Sequence, residues 1–418
     1  MASTSSAIDR LLREGWTLIL LSVAFATAFF SVTASAQEPI RIGGSLSMTG
    51  TFAELGKSHE RGYRVCLKQA NDRGGVLGRK VEFTFEDDQS QAAAAVAIYE
   101  KALGKDKVDA VFSPYSSPLT DAIASVTEKY RMPVVAAGAA TTSLFKKGRK
   151  FLFMLLSPAE AYLEGLIDLA VKRGLKTVAI VYEDTIFPGA IAQGTMDLAK
   201  KRGLQVVVFE AYPAKTTDFS AVLNKIKGAN PDVVAAATYF NDSVAVVRQL
   251  KALDINPRIV GVTVGGDLPK FHETLGHTAE FVYGASQWEA ELVTLRAGGL
   301  IPLARLFPGA REFVEEHEKM FPGAGVSYQT AAAFGACEVL LEAIKRARSL
   351  DRDKVREAIL KFDAHTVFGS FRVDHDGFQT SHRMQLFQWQ DGKKVIVWPD
   401  DIAPGRPRFP TPAWSQRK

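Results

Sequence analysis

From Glu38 onward the chain alternates short apolar strands with helix-length segments, and that rhythm constrains the fold more than any single motif. Ile40–Leu46, Val81–Glu86, Ala110–Phe112 and Val134–Ala137 read as strands, with Ser58–Arg73 and Ala92–Leu103 as helices between them. After Phe151–Leu155 the rhythm restarts, with strands at Thr177–Tyr182, Gln205–Phe209, Val233–Ala237 and Arg258–Val262 separated by further helical segments. Strands and helices in strict alternation predict βα units around a parallel sheet. There are too many units for one ordinary sheet, so the expected class is α/β with two doubly wound parallel-sheet lobes. A length of 418 residues accommodates them. The tail has a different pattern: Met384–Trp389 and Lys394–Trp398 flank Asp391-Gly392, which predicts an antiparallel hairpin. Residues 401–418 are rich in Pro and Arg and are expected to form a flexible tail.

The N-terminus carries a targeting pattern. Arg10 and Arg13 precede an apolar run from Trp16 to Val32, and Ala34-Ser35-Ala36 has the small-x-small form of a cleavage site. Residues 1–36 are expected to be a signal peptide cleaved after Ala36, which implies an exported protein. An uncleaved anchor is the alternative, since Asp9 and Glu14 dilute the basic segment. No Cys stands at the cleavage site, which argues against a lipid anchor. Export would allow a disulfide. Cys66 and Cys337, however, both fall in predicted helices facing the core, where a free Cys packs as a small hydrophobe; that is the expected arrangement, with pairing the alternative.

Composition narrows the function classes. Apolar residues make up 47% and charged residues 23%, enough for a large core, and the net charge is only +5. The densest basic run, Lys146, Lys147, Arg149 and Lys150, reads as a solvated loop, so nucleic acid is not an expected partner. Phosphate-loop, nucleophile-elbow and zinc-binding motifs are absent, and Gly43-Gly44 lacks dinucleotide-binding spacing. Asp87-Asp88 and the Asp374-His375-Asp376 run read as turn chemistry. No enzyme activity, metal or cofactor is expected.

The stretch Val108–Ser143 contains two consecutive strands that each end in a turn of small and hydroxyl-bearing residues. Strand carboxyl ends are where open parallel sheets bind ligands. Ser117 is a good helix N-cap and Pro118 suits the first helical turn. Such a helix start attracts anions, although Ser117 and Pro118 could equally do no more than begin a helix.

These residues belong to a wider pattern. It includes Ile42-Gly43, Leu46-Ser47-Met48-Thr49-Gly50, Asn71-Asp72-Arg73-Gly74-Gly75-Val76-Leu77-Gly78-Arg79, Asp87-Asp88-Gln89, Ser116-Ser117, Ala139-Ala140-Thr141, Gln287-Trp288, Ser327-Tyr328-Gln329 and Thr366-Val367-Phe368-Gly369. In content and order the chain resembles the leucine/isoleucine/valine-binding branch of periplasmic substrate-binding proteins, which serve bacterial ABC importers. The resemblance implies two lobes joined by three crossovers, near Leu155–Ala159, Tyr283–Trp288 and Val367–Phe371, with a ligand cleft between the lobes. Lobe 1 would take residues 38–156 and 286–367, and lobe 2 residues 157–285 and 368–400.

The resemblance also implies site residues. The carboxylate-binding turn matches Ser116 and Ser117, and the second turn matches Ala139, Ala140 and Thr141 with the register open by one position. If Ser117 caps its helix, Ser116 and the Leu119 and Thr120 amides are the freer donors. Phe187 and Tyr239 match the aromatic walls of the second lobe. The acid that pairs with a ligand ammonium falls at Thr263, and the first-loop aromatic at Leu55. The carboxylate end therefore looks kept and the amine end does not, unless Asp267 or Glu183 substitutes. The expectation is a binding protein that delivers a small organic carboxylate, aliphatic or aromatic, to a membrane permease and works as a monomer. A branched-chain or other amino acid is the alternative ligand, and a ligand sensor of similar fold the alternative role.

Overall fold

The computed structural model describes residues 37–294 and 303–417. The expected signal peptide lies outside the described residues. β1 (Ile40–Leu46), β2 (Val81–Asp87) and β3 (Ala110–Val111) form a parallel sheet in the order β2-β1-β3. β4 (Val134–Ala136) pairs in parallel with β5 (Leu152–Met154). A parallel bridge between Tyr115 and Gly138 joins the chain beyond β3 to the chain beyond β4. Across that bridge the strand order is 2-1-3-4-5, a doubly wound pattern whose switch point lies between its first and third strands.

A second set of strands repeats the order. β6 (Thr177–Glu183), β7 (Gln205–Tyr212), β8 (Val233–Ala237), β9 (Ile259–Val262) and β10 (Tyr283–Ser286) are parallel and lie as β7-β6-β8-β9-β10. β8 reads Val-Val-Ala-Ala-Ala and is buried throughout, the continuous apolar run expected of a strand covered on both faces. After a short antiparallel pair, β11 (Ala364–Thr366) and β12 (Gly369–Phe371), the predicted hairpin forms as β13 (Gln385–Gln390) and β14 (Lys393–Trp398). β13 pairs antiparallel with β10 and so extends the second sheet to seven strands.

Helices Ala53–Asp72 and Tyr328–Ala347 pack side by side on the first sheet's side of the chain. Their approach depends on Gly62, where a Cβ would lie 2.1 Å from the Thr330 carbonyl oxygen. One turn further along, Cys66 and Cys337 form a disulfide with their Cα atoms 6.4 Å apart. The expectation of two separate thiols is therefore corrected. Each helix does face the core, but the facing surfaces are each other's, and the close approach at Gly62 brings the sulfurs into register.

The expected crossover segments lie against one another. The Ser157 amide donates to Gln287 Oε1 at 2.6 Å, Gln379 Nε2 to the Leu155 carbonyl at 3.0 Å, and Trp288 Nε1 to the Val367 carbonyl at 3.0 Å. The segment beyond Pro399 differs from expectation, because it is tied down. The Trp414 indole is buried and donates to the Ile255 carbonyl at 2.6 Å, while Phe409 lies under the guanidinium groups of Arg173 and Arg258. Two aromatic anchors outweigh the loose composition of the tail. Among the described residues no helix is long and apolar enough to cross a membrane.

Candidate functional site

The two switch points bring together the turns that follow β1, β3, β6 and β8. After β1, Asp88 accepts from the hydroxyls of Ser45 (2.7 Å) and Ser47 (2.5 Å), while Asp87 accepts from the Met48 and Thr49 amides. The paired acids thus shape a loop, as a turn reading requires. Asp374 does the same at its own turn, where Oδ1 accepts from the Asp376 and Phe378 amides.

After β3, Ser116 rather than Ser117 is the N-cap of helix Ser117–Lys129. Its φ of 89° is rare for a residue with a side chain, and its Oγ accepts from the Leu119 amide at 3.4 Å. The Thr120 amide goes to the Ser116 carbonyl, so neither amide is the free donor the sequence suggested. Ser117 has a different task. Its Oγ accepts from the amides of Ala140 at 3.2 Å and Thr141 at 3.4 Å, stitching the first turn to the second. Ser113, which the sequence reading passed over, does likewise with the Ala137 amide at 2.9 Å.

A hydroxyl that accepts an N–H still holds a proton to donate. Thr120 Oγ1 and Thr141 Oγ1 are more exceptional, being buried with no hydrogen-bond partner. Thr120 shares a helix face with Ser116 and Ser117. Thr141, Ala139 and Ala140 lie just past the Tyr115–Gly138 bridge. The two turns therefore present hydroxyl donors with nothing of the protein to receive them.

The facing wall is aromatic. Phe187 opens helix Ile186–Lys201 and lies 5.2 Å from the Tyr162 ring and 5.7 Å from the Tyr239 ring. Tyr239 caps helix Phe240–Ala252, and its hydroxyl is buried without a partner. Phe52, in the loop after β1, meets Tyr239 edge-on at 5.0 Å and Tyr115 at 5.8 Å, bridging the two sheets. The first-loop aromatic is thus Phe52, three residues before the expected position; Leu55 is buried in the core.

Thr263 does not join this group. Its hydroxyl accepts from the Thr238 amide and donates to the Thr238 carbonyl, both at 2.8 Å, bracing the ends of β8 and β9. Glu183 is also engaged. It accepts from Thr185 at 2.8 Å, and its charge acts on Asp242, which accepts from the Tyr212 hydroxyl at 3.0 Å.

Of the two acids the sequence offered, Asp267 keeps an unpartnered oxygen. It is fully buried; Oδ1 accepts from the Gly265 amide at 3.2 Å and from Gln329 Nε2 at 3.3 Å, while Oδ2 has no partner. Gln329 Oε1 is likewise buried and unpartnered. Burial pushes the Asp267 carboxyl up to about 6; the Lys394 cation opposes the rise and Glu289 adds to it. Burial first, and the Asp267 charge among lesser causes, raises the hydroxyl pKa values of Tyr115, Tyr162 and Tyr328. Tyr115 belongs to the bridge beside the β3 turn, so the Asp267 charge acts on that turn's neighbourhood. A buried carboxylate oxygen and a buried amide oxygen, both idle on side chains bonded to each other, have the chemistry to accept from a cation with several N–H donors.

The family model for periplasmic binding proteins matches residues 39–394, and the chain belongs to that family. It is similar to the Leu/Ile/Val-binding protein homolog 7 of Brucella suis, with 27% identity over 411 residues covering 94% of this chain and 99% of that one. The homolog 8 of Brucella abortus is 26% identical over 407 residues, covering 93% and 97%. Among solved structures, the leucine-binding protein LivK of Thermotoga maritima superposes with a TM-score of 0.76 at 23% identity, over 87% of this chain and 99% of that one. LivJ of Streptococcus pneumoniae, solved with isoleucine, gives 0.74 at 20% identity, over 87% and 100%. The fold is that of a type 1 periplasmic binding protein.

Proposed function

We propose that this chain is an exported receptor that captures an α-amino acid between its two sheets and hands it to the membrane permease of an ABC importer. One observation carries the ligand class: the Thr120 and Thr141 hydroxyls of the first turns are buried donors without a partner, and Asp267, whose charge acts on Tyr115 beside those turns, and Gln329 each hold a buried acceptor without one (Oδ2 and Oε1). An α-carboxylate suits the first pair and an α-ammonium the second. The organic-acid reading rested on the lost acid at Thr263; Asp267 supplies a substitute four residues on, which favours the amino-acid alternative. The relatives named for leucine, isoleucine and valine point the same way. Ser116, Ser117, Ala139 and Ala140 would shape the carboxylate turn, and Phe52, Phe187 and Tyr239 the walls that close on the ligand. Thr263 would act at one remove, by bracing the strand ends. No reaction on the ligand is part of this role; the protein would work as a periplasmic monomer.

Calorimetric titration of the mature protein tests the reading. Amino acids should bind, and their desamino analogues should bind at least a hundredfold more weakly. Equal affinity for an amino acid and its desamino analogue would return the ligand to the organic acids.

A further inference from the structure

With the α-carboxylate and α-ammonium met by Thr120, Thr141, Asp267 and Gln329, other buried polar side chains near the turns still lack a partner, the Tyr239 hydroxyl and His59 among them. His59, on helix Ala53–Asp72, is fully buried, and neither ring nitrogen has a hydrogen-bond partner. Its ring stands edge-on to Tyr115 at 5.0 Å and to Tyr63 at 5.9 Å. Its Cε1 lies against Gly138, where a Cβ would come within 2.9 Å. A side chain at Gly138 would push the imidazole away, so the glycine keeps His59 beside the bridge that joins the two turns.

Buried polar groups are nearly always hydrogen-bonded, and one that is not calls for an explanation. Here two idle nitrogens sit against residues of the cleft. Burial pushes the imidazole pKa down to about 3, so the ring is neutral at any working pH. A neutral imidazole offers one N–H donor and one bare acceptor nitrogen. That pair suits a group that both donates and accepts. An ionised side chain would meet no counter-charge at His59 and would lie buried unpaired. A purely aliphatic side chain would leave both nitrogens unsatisfied.

We propose that His59 determines specificity by hydrogen-bonding the side chain of the bound amino acid, and that the preferred ligand therefore carries an uncharged hydroxyl or carboxamide rather than a branched aliphatic chain. This rests on the amino-acid reading of the same cleft. A site built to hydrogen-bond one group rejects the isostere that lacks it, because its own polar atoms are then left unpaired.

The isosteric pairs threonine/valine and asparagine/leucine test it by calorimetry on the mature protein. The expected result is at least a tenfold preference for the polar member in one pair. His59→Leu should bring that ratio to within about twofold, and His59→Phe serves if the first variant does not fold. His59→Asn, which keeps a donor and an acceptor, should retain part of the preference. A ratio near one, an aliphatic preference, or a polar preference that survives His59→Leu would overturn the proposal while leaving the amino-acid reading intact. If the wild-type protein bound none of the four, this proposal would fall, while the amino-acid reading would still stand or fall by the comparison with desamino analogues.

Discussion

Gln329 Nε2 donates to Asp267 Oδ1 across 3.3 Å, and the bond aims the two remaining oxygens, Asp267 Oδ2 and Gln329 Oε1, away from any protein partner. The contact spans the loop after β9 and the first turn of helix Tyr328–Ala347, segments separated by 62 residues. Each side chain holds the other in position while leaving one acceptor free.

Asp267→Asn should therefore weaken amino-acid binding by about 2–5 kcal/mol, the usual loss when one member of a buried charge pair is neutralised. The pH dependence should run in two directions. In the empty protein the raised carboxyl contributes stability that is fully present below its ordinary value and is lost as pH rises through about 6. Ligand binding needs the ionised form, so affinity should fall as pH drops below about 6. Melting curves and titrations at pH 5 and pH 7.5, for wild type and variant, check both. Affinity unaffected by both pH and substitution would remove Asp267 from the site.

Thr141 and Thr263 should part company. Thr141 Oγ1 has no protein partner, so Thr141→Val should leave the melting temperature nearly unchanged and cost about 1.5–3 kcal/mol of binding, as a charge-assisted hydrogen bond does. Thr263→Val strips both bonds from the Thr238 backbone and should destabilise the fold by about 1–3 kcal/mol for each group left unsatisfied. Denaturant unfolding and calorimetry on the same preparations separate the effects. The reverse outcome would mean that Thr263 touches ligand and Thr141 does not.

The strand–helix rhythm made both parallel sheets legible, because buried parallel strands must be apolar runs whatever surrounds them. The turns at Ser116–Ser117 and Ala139–Thr141 were legible too, since small and hydroxyl residues at strand ends are uncommon in a core. Which serine caps the helix was not: it depends on the unusual φ at Ser116, which the local residues do not dictate. His59 was passed over, and Gln329 was quoted in the family pattern without a site role, because each sits on a helix far along the chain from the residues it meets. A buried His in such a helix has the same spacing as a packing residue. Phe52 was misplaced by a single helical turn, since a loop's length determines which of its residues reaches the cleft.

The Cys66–Cys337 bridge ties together the two helices that carry His59 and Gln329. It closes a loop of 271 residues, so its loss should lower stability by about 2–5 kcal/mol. The double variant Cys66→Ala/Cys337→Ala should melt well below wild type, and reduction of wild type should reproduce most of the shift. If helix packing around Gly62 alone fixes the site, saturating ligand will still bind the variant at low temperature. A melting temperature insensitive to both treatments would mean that the bond contributes nothing to the folded state.

A second carboxyl pair lies behind the Tyr239 wall. Asp242 is buried and accepts from the Tyr212 hydroxyl, and its carboxyl is raised to about 7, first by burial and then by the Glu183 charge. A raised carboxyl binds its proton more tightly in the folded state than in the unfolded chain. Its contribution to stability is therefore complete below about pH 4, the ordinary range for Asp, and is lost as pH climbs through about 7. The fall should match one proton, ~1.4 kcal/mol per pH unit at its steepest. Asp242→Asn keeps the Tyr212 contact and removes the charge, so its stability between pH 5 and pH 7.5 should be flatter than that of wild type. Asp267 contributes its own slope over part of the same range, so the comparison belongs in an Asp267→Asn background. Parallel pH profiles for the single and double variants would mean that the Asp242 carboxyl is not raised in the folded protein.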